Sequence, residues 1–314
     1  MIIVKAPLRI TLAGGGTDIK EYYSKYGSLF ITATISKYIY ITYFNTPFTK
    51  KIRMKYAITE EVDSINEIKN EIIRETFRLH EITNNVEVAS HADIPSGTGL
   101  GSSGTFGVGL LHALYANSHS LVTKQQIAEE ATYIQKDIIG FPIGKNDQYS
   151  STFGGTNIYC INKEGDVTVT PLNITELKKY LVLFFTGYSR NANKILFVQK
   201  DKVKELQTMH QLSYAIKNSL EEKNYSEFGK LMNQHWEYKK SIAPEMTNPQ
   251  IDSWYNKALN YGAIGGKLIG AGGGGFLLFY THDPDELIKK MTEEGLQHLP
   301  FQFEPEGSKV LINE

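Results

Sequence analysis

Pro95-Ser96-Gly97-Thr98-Gly99-Leu100-Gly101-Ser102-Ser103-Gly104-Thr105 runs straight into the apolar stretch 106–115, and the reading of that junction decides the fold. Its glycines let the backbone come close to an anion, and its hydroxyls can donate to phosphate or ligate a metal. A helix opening there adds unpaired N–H groups and positive potential, so the run reads as a phosphate cradle. A plain Gly/Ser connection between strand and helix has the same composition. Two further clusters weigh against that: Pro7-Leu8-Arg9-Ile10-Thr11-Leu12-Ala13-Gly14-Gly15-Gly16-Thr17-Asp18 and Lys267-Leu268-Ile269-Gly270-Ala271-Gly272-Gly273-Gly274-Gly275-Phe276.

Outward from the cradle, the chain reads as β-rich at its start, with strands over 2–5, 9–13, 29–34 and 38–43. Helical spacing covers 65–79, 102–115 and 124–138, a short strand lies at 86–89, and strands follow at 154–160, 167–171 and 181–185. Helices are expected at 203–221, 226–238, 249–261 and 284–294. A strand-turn-strand spans 267–279, and a last strand lies near Val310. The pattern is α+β, with two domains expected, 1–170 and 171–314, meeting near Pro171.

Composition narrows the function. The 314 residues carry 33 basic and 34 acidic side chains, a net charge of -1, so no overall field favours nucleic acid or an anionic membrane, and neither is an expected partner. Cys160 is the single cysteine, which excludes an intramolecular disulfide and a cysteine-rich metal site. The eight histidines form no zinc-type pair. With no signal-like start and no 18-residue apolar stretch, a cytoplasmic protein is expected. A P-loop is excluded because Gly144-Lys145, Gly229-Lys230 and Gly266-Lys267 are followed by Asn146, Leu231 and Leu268 rather than Ser or Thr. Gly14-Gly15-Gly16-Thr17-Asp18 does not supply the dinucleotide fingerprint either.

In order and spacing, the three clusters resemble the motifs of the GHMP kinases, the family of galactokinase, homoserine kinase, mevalonate kinase and phosphomevalonate kinase. Within it, Gly14–Asp18, Lys145-Asn146-Asp147-Gln148-Tyr149 and Thr186-Gly187-Tyr188-Ser189-Arg190 are similar to the D-glycero-D-manno-heptose 7-phosphate kinases. The resemblance implies a ribosomal-S5-like N-terminal domain, a ferredoxin-like C-terminal domain, and ATP and sugar in the cleft between them.

Position by position, it implies that Ser96, Gly97, Thr98, Gly99, Leu100, Gly101, Ser102 and Ser103 bind ATP, with Ser103 touching Mg²⁺. It places the catalytic carboxylate on Asp147 and the basic partner on Arg9. For the sugar it implies Gly15, Gly16, Thr17 and Asp18, with Gly272, Gly273 and Gly274 close to substrate. A substrate phosphate needs a further basic residue, for which Arg190 is the candidate, with Lys194 beside it. The sequence departs from many relatives at Gln135, where they carry a Mg²⁺-binding Glu; a neutral amide is a poorer ligand for a hard cation, and Asp137 lies close by. The activity implied is ATP-dependent phosphorylation of the anomeric hydroxyl of D-glycero-α-D-manno-heptose 7-phosphate, giving the 1,7-bisphosphate for nucleotide-heptose and surface polysaccharide synthesis. A fucose- or galactose-type 1-kinase and a non-catalytic sugar and ATP sensor on the same scaffold remain open.

Overall fold

The computed structural model describes residues 1–189 and 203–314. Its spine is a pair of long antiparallel strands, β1 (Ile2–Ala13) and β2 (Ser28–Asn45), in register from Ile2 opposite Tyr43 to Ala13 opposite Ile31. Each reads as two short strands in sequence and is continuous in the structure. The gap between the two strands expected within β1 holds Pro7, which has no N–H to give a ladder. In the sheet the pairing shifts at that point, from Pro7 opposite Tyr38 to Leu8 opposite Ile35, so an irregularity absorbs the missing donor.

On its other edge β2 is shared. Its first part pairs with β6 (Thr156–Ile161) and its second with β5 (Val86–Ala92). The sheet is completed by β3 (Ile52–Lys55), β4 (Thr59–Val62), β7 (Val167–Pro171) and β12 (Lys309–Asn313). A second, four-stranded antiparallel sheet runs in the order β11 (Gln297–His298), β8 (Leu181–Phe185), β10 (Phe276–Thr281), β9 (Ala263–Leu268). One mixed sheet and one antiparallel sheet, with helical cover, make the α+β architecture expected from the sequence.

Helices α1 (Lys20–Tyr26), α2 (Glu71–Leu79), α3 (Ser102–Asn117), α4 (Lys124–Tyr133) and α5 (Asn146–Phe153) belong to the first half of the chain. In the second half come α6 (Val203–Glu221), α7 (Tyr225–Ile242), α8 (Pro249–Asn260) and α9 (Pro284–Glu293). Several starts are written locally: Thr123 and Gln126 form a capping box on α4, and Asn248-Pro249 and Asp283-Pro284 supply a cap and a first-turn proline. The helix expected over 124–138 changes to a π-helical turn at Ile134–Ile138, which buries Gln135 at 1% exposure. No described helix is long and apolar enough to cross a membrane.

The expected domain limit needs correction at the chain's end. Residues 171–314 are not one body, because β12 returns to pair with β1, Ile2 opposite Asn313 and Lys5 opposite Lys309. Thr34 Oγ1 donates to Glu304 O at 2.6 Å and Ser308 N–H to Ser151 O at 2.8 Å, so the last dozen residues complete the first sheet. A sequence-local reading cannot see a pairing more than 300 residues apart. One buried cluster runs from Ile10 and Ile31 to Leu183, Phe228 and Leu278, so the two sheets share a core.

Close backbone approach joins α7 to β9. A Cβ on Gly265 would overlap the carbonyl of Gly229. We expect Gly265→Ala to lower folding stability by about 1–3 kcal/mol through overpacking, read as a shift in denaturant midpoint. An unchanged midpoint would contradict this seating of the helix.

Candidate active site

Arg9 lies near the middle of the inner strand β1 between the fully buried Leu8 and Ile10, and is itself 5% exposed. A guanidinium there must be paired. Its Nε donates to Asp147 Oδ1 at 2.9 Å, Nη2 donates to the same oxygen, and Nη1 donates to Gly99 O at 2.6 Å. Its backbone N–H donates to Leu100 O at 3.1 Å. One residue therefore ties the first cluster to the glycine-rich loop and to the carboxylate. Asp147 Oδ2 has no hydrogen bond among the described residues.

Asp147 sits in the first turn of α5, a helix not expected from the sequence. Its cap is remote: Asp18 Oδ2 accepts the N–H of Asn146 at 3.0 Å, and Oδ1 accepts that of Gly16 at 3.2 Å. Asp18 is 6% exposed, and burial pushes its pKa up, with the charge of Asp147 adding to the rise while the N–H bonds oppose it. α3 packs against this turn so closely that a Cβ on Gly104 would overlap Cβ of Asp147.

The cradle takes the form its sequence implied at the helix start. α3 follows Gly101 with no side-chain cap, so its first-turn N–H groups have no side-chain acceptor. Ser102 Oγ is buried without a partner among the described residues. Gln135 Nε2 reaches Ser103 O at 3.4 Å, and Gln148 Nε2 donates to Gln135 Oε1 at 3.1 Å, so the amide at 135 is held in the wall behind Ser103. The cleft in front measures about 680 Å³.

Arg9, Gly15, Gly16, Asp18, Ser96, Gly97, Gly99, Gly101, Ser102, Ser103 and Asp147 all line this cleft. Other expected residues lie behind it. Thr17 Oγ1 donates to Gly14 O at 2.9 Å and meets Ser28 Oγ at 2.7 Å; Thr98 Oγ1 donates to Pro95 O at 2.9 Å; Leu100 is fully buried in the core. Gly272, Gly273 and Gly274 also stand outside the lining. Gly273 N–H donates to Met246 O at 2.8 Å, Gly272 lies against Met246 and Gly274 against Tyr188, so these glycines serve loop packing. At Gly275 a Cβ would overlap Thr98 O, which brings the third cluster against the cradle. Arg190 and Lys194 lie outside the described residues.

Two lysines in the lining escaped the sequence reading. Lys239 on α7, 4% exposed, donates to Gly270 O, and Lys267 on β9 is 2% exposed. Burial, with the positive charge of Arg9, pushes the Lys267 pKa down to about 7. His235, one helical turn before Lys239, is fully buried with both ring nitrogens unpaired among the described residues, and burial beside the two lysines holds it neutral. Lys267 opens the third glycine cluster, the one local signal that could have marked it; Lys239 has none.

Comparison with known proteins agrees with this geometry. The family model "GHMP kinases N terminal domain" matches residues 65–155 and "GHMP kinases C terminal" matches 215–297. The D-glycero-alpha-D-manno-heptose 7-phosphate kinase of Campylobacter jejuni is 32% identical, over 98% of this chain and 98% of that protein. A galactokinase of Pyrococcus furiosus is 24% identical over 87% of each. Among solved structures, a D-glycero-D-manno-heptose 1-phosphate kinase from Bacteroides thetaiotaomicron superposes with a TM-score of 0.82 at 25% identity, covering 99% of both chains.

Because the folded-state pKa of Asp18 is raised, the site is most stable with this carboxyl protonated, and that contribution is lost as pH rises through the folded pKa. Asp18→Asn removes the titration. Its thermal midpoint relative to wild type is expected to climb as pH rises above the ordinary carboxylate range of about 4. A difference independent of pH would show that burial does not dominate at Asp18.

Proposed function

The chain belongs to the GHMP kinase family and is a sugar kinase; on that premise we propose that it transfers the γ-phosphoryl group of ATP to the anomeric hydroxyl of D-glycero-α-D-manno-heptose 7-phosphate. The observation that carries the chemistry is the one-sided Arg9–Asp147 pair. Oδ1 takes both guanidinium bonds, which leaves Oδ2 to face a hydroxyl. For the sugar, support comes from the full-length likeness to the Campylobacter jejuni enzyme.

In this reading the sugar oxygen bonds to phosphorus while the bond to the β–γ bridging oxygen breaks, and Asp147 Oδ2 accepts the hydroxyl proton. Complete prior deprotonation by a carboxylate would cost about 11 kcal/mol. Ten turnovers per second correspond to a barrier of about 16 kcal/mol, so proton transfer accompanies bond formation and positioning does most of the work. Arg9 keeps Asp147 and Gly99 in mutual register. Asp18, with its two N–H bonds, stands where a diol could be oriented, and Arg190 with Lys194 is the proposed site for the 7-phosphate.

Among the described residues no group of three or more His, Cys, Asp or Glu could hold a metal. The hydroxyls of Ser103 and the unpaired Ser102 suit a Mg²⁺ that keeps most of its ligands from phosphate and water. Bound there with ATP, it would offset phosphate charge. Gln135, bonded to Ser103 O and Gln148, acts in this reading by placing Ser103 rather than by ligation. A cytoplasmic location supplies the ATP.

The test is ADP release with Mg²⁺-ATP against aldoses and their terminal phosphates. We expect turnover on heptose 7-phosphate, reduced about 10²–10⁴-fold in a folded Asp147→Asn variant. Turnover on free fucose or galactose instead would move the substrate. Binding of both ligands without ADP release would favour a sensor.

A further inference from the structure

The Arg9–Asp147 pair leaves the reaction centre short of free positive charge. Nε and Nη2 of Arg9 are committed to one carboxylate and Nη1 to Gly99 O, so the guanidinium is largely neutralised by its own partner. Phosphoryl transfer spreads negative charge over three equatorial oxygens, and a fixed cation beside them stabilises the transition state.

Lys267 is such a cation. It lines the cleft that Arg9 and Asp147 line, it is 2% exposed, and its ammonium makes no hydrogen bond or ion pair among the described residues. Its place follows from the strand: the next residue, Leu268, is in the apolar core with Trp236 and Phe279, so Lys267 takes the other face of β9. The positive charge of Arg9 from β1 acts on it, and on α7 the neutral His235 feels both Lys267 and Lys239. Asp18 and Asp147 share the cleft, but Asp147 is held by Arg9 and Asp18 by backbone N–H groups. An ammonium buried among cations with no counter-ion costs folding free energy, and an apolar side chain would serve the core better. Its burial there makes sense if an anion completes the site.

We propose that Lys267 Nζ binds the γ-phosphoryl group during transfer, reaching it from the second sheet while the N-terminus of α3 holds the nucleotide phosphates from the first. The sugar oxygen gains its bond to phosphorus, the β–γ bridging oxygen leaves on ADP with the bonding pair, and the hydroxyl proton goes to Asp147. Lys267 remains protonated throughout and supplies charge alone. The inference rests on the kinase reaction above but not on which sugar is the acceptor.

The experiment compares wild type, Lys267→Met and Lys267→Arg in the full chain, with any sugar that wild type phosphorylates. Lys267→Met is expected to lower kcat about 10²-fold or more, to change KM for ATP and sugar by less than about threefold, and to melt no lower than wild type. Affinity for MgADP with aluminium fluoride, a mimic of the phosphoryl group in flight, should fall by a similar factor while affinity for MgADP alone holds. The kcat/KM of wild type should decline as pH rises through about 7, and that of Lys267→Arg should persist to higher pH. A raised sugar KM with unchanged kcat would overturn the proposal and assign Lys267 to the substrate's own phosphate; unchanged kinetics and fluoride affinity would leave it a structural residue. The fluoride comparison is run with and without sugar. If no sugar turns over, the sugar reading fails by itself, and an equal fluoride affinity of the two proteins overturns the role of Lys267 separately.

Discussion

The guanidinium of Arg9 is the constraint on which the site depends. It is buried in an inner strand, where an unpaired cation would be costly, and it is satisfied by two elements distant in sequence: the carboxylate of Asp147 and the carbonyl of Gly99. Each partner has a part in the proposed reaction. Satisfying one buried charge thereby sets the distance between the group that would take a proton and the loop that would hold phosphate. A structural demand of the core and a geometric demand of phosphoryl transfer are met by the same three bonds.

Around that knot the packing is close because small residues permit it. α3 lies against the Asp147 turn only because Gly104 lacks a side chain, and the third glycine cluster lies against Thr98 only because Gly275 does. The glycines of this chain thus divide into two uses. Gly97, Gly99 and Gly101 border the cleft, whereas Gly272, Gly273 and Gly274 pack their loop on Met246 and Tyr188. Their one-letter runs look alike; their neighbours differ.

Charge in the cleft is arranged asymmetrically between the two sheets. The first contributes the Arg9–Asp147 pair and the capping carboxylate of Asp18, all hydrogen-bonded within the fold. From the second comes Lys267 on β9, joined from helix α7 by Lys239, which is tied to Gly270 O. Substrates that carry phosphate at one end and meet a carboxylate at the other fit such a division, with the carboxylate beside the hydroxyl and the cations beside phosphorus. The return of β12 to β1 and the shared buried cluster help hold the two sides in register.

Much was legible without coordinates. The glycine clusters, the apolar run of α3 and the order Arg9, Ser103, Asp147 are local patterns; they carried the resemblance that implied the α+β kinase architecture, and eleven of the residues named from them line the cleft. What stayed hidden depends on distant partners. α5 could not be read because its N-terminus is capped by Asp18, 128 residues earlier. The domain limit missed β12 because strand pairing ignores chain distance. Thr17, Thr98 and Leu100 share motifs with cleft residues yet turn inward, since neighbouring side chains in a loop face different ways. Lys267 stood in the sequence only as the first letter of the third glycine cluster and became a buried cation only when β9 met α7 and Arg9. The sequence by itself determined which chemical groups were available and which local elements they began; the tertiary structure alone decided which of those groups are buried, paired or left free, because burial and pairing are properties of neighbours that the chain brings together only by folding.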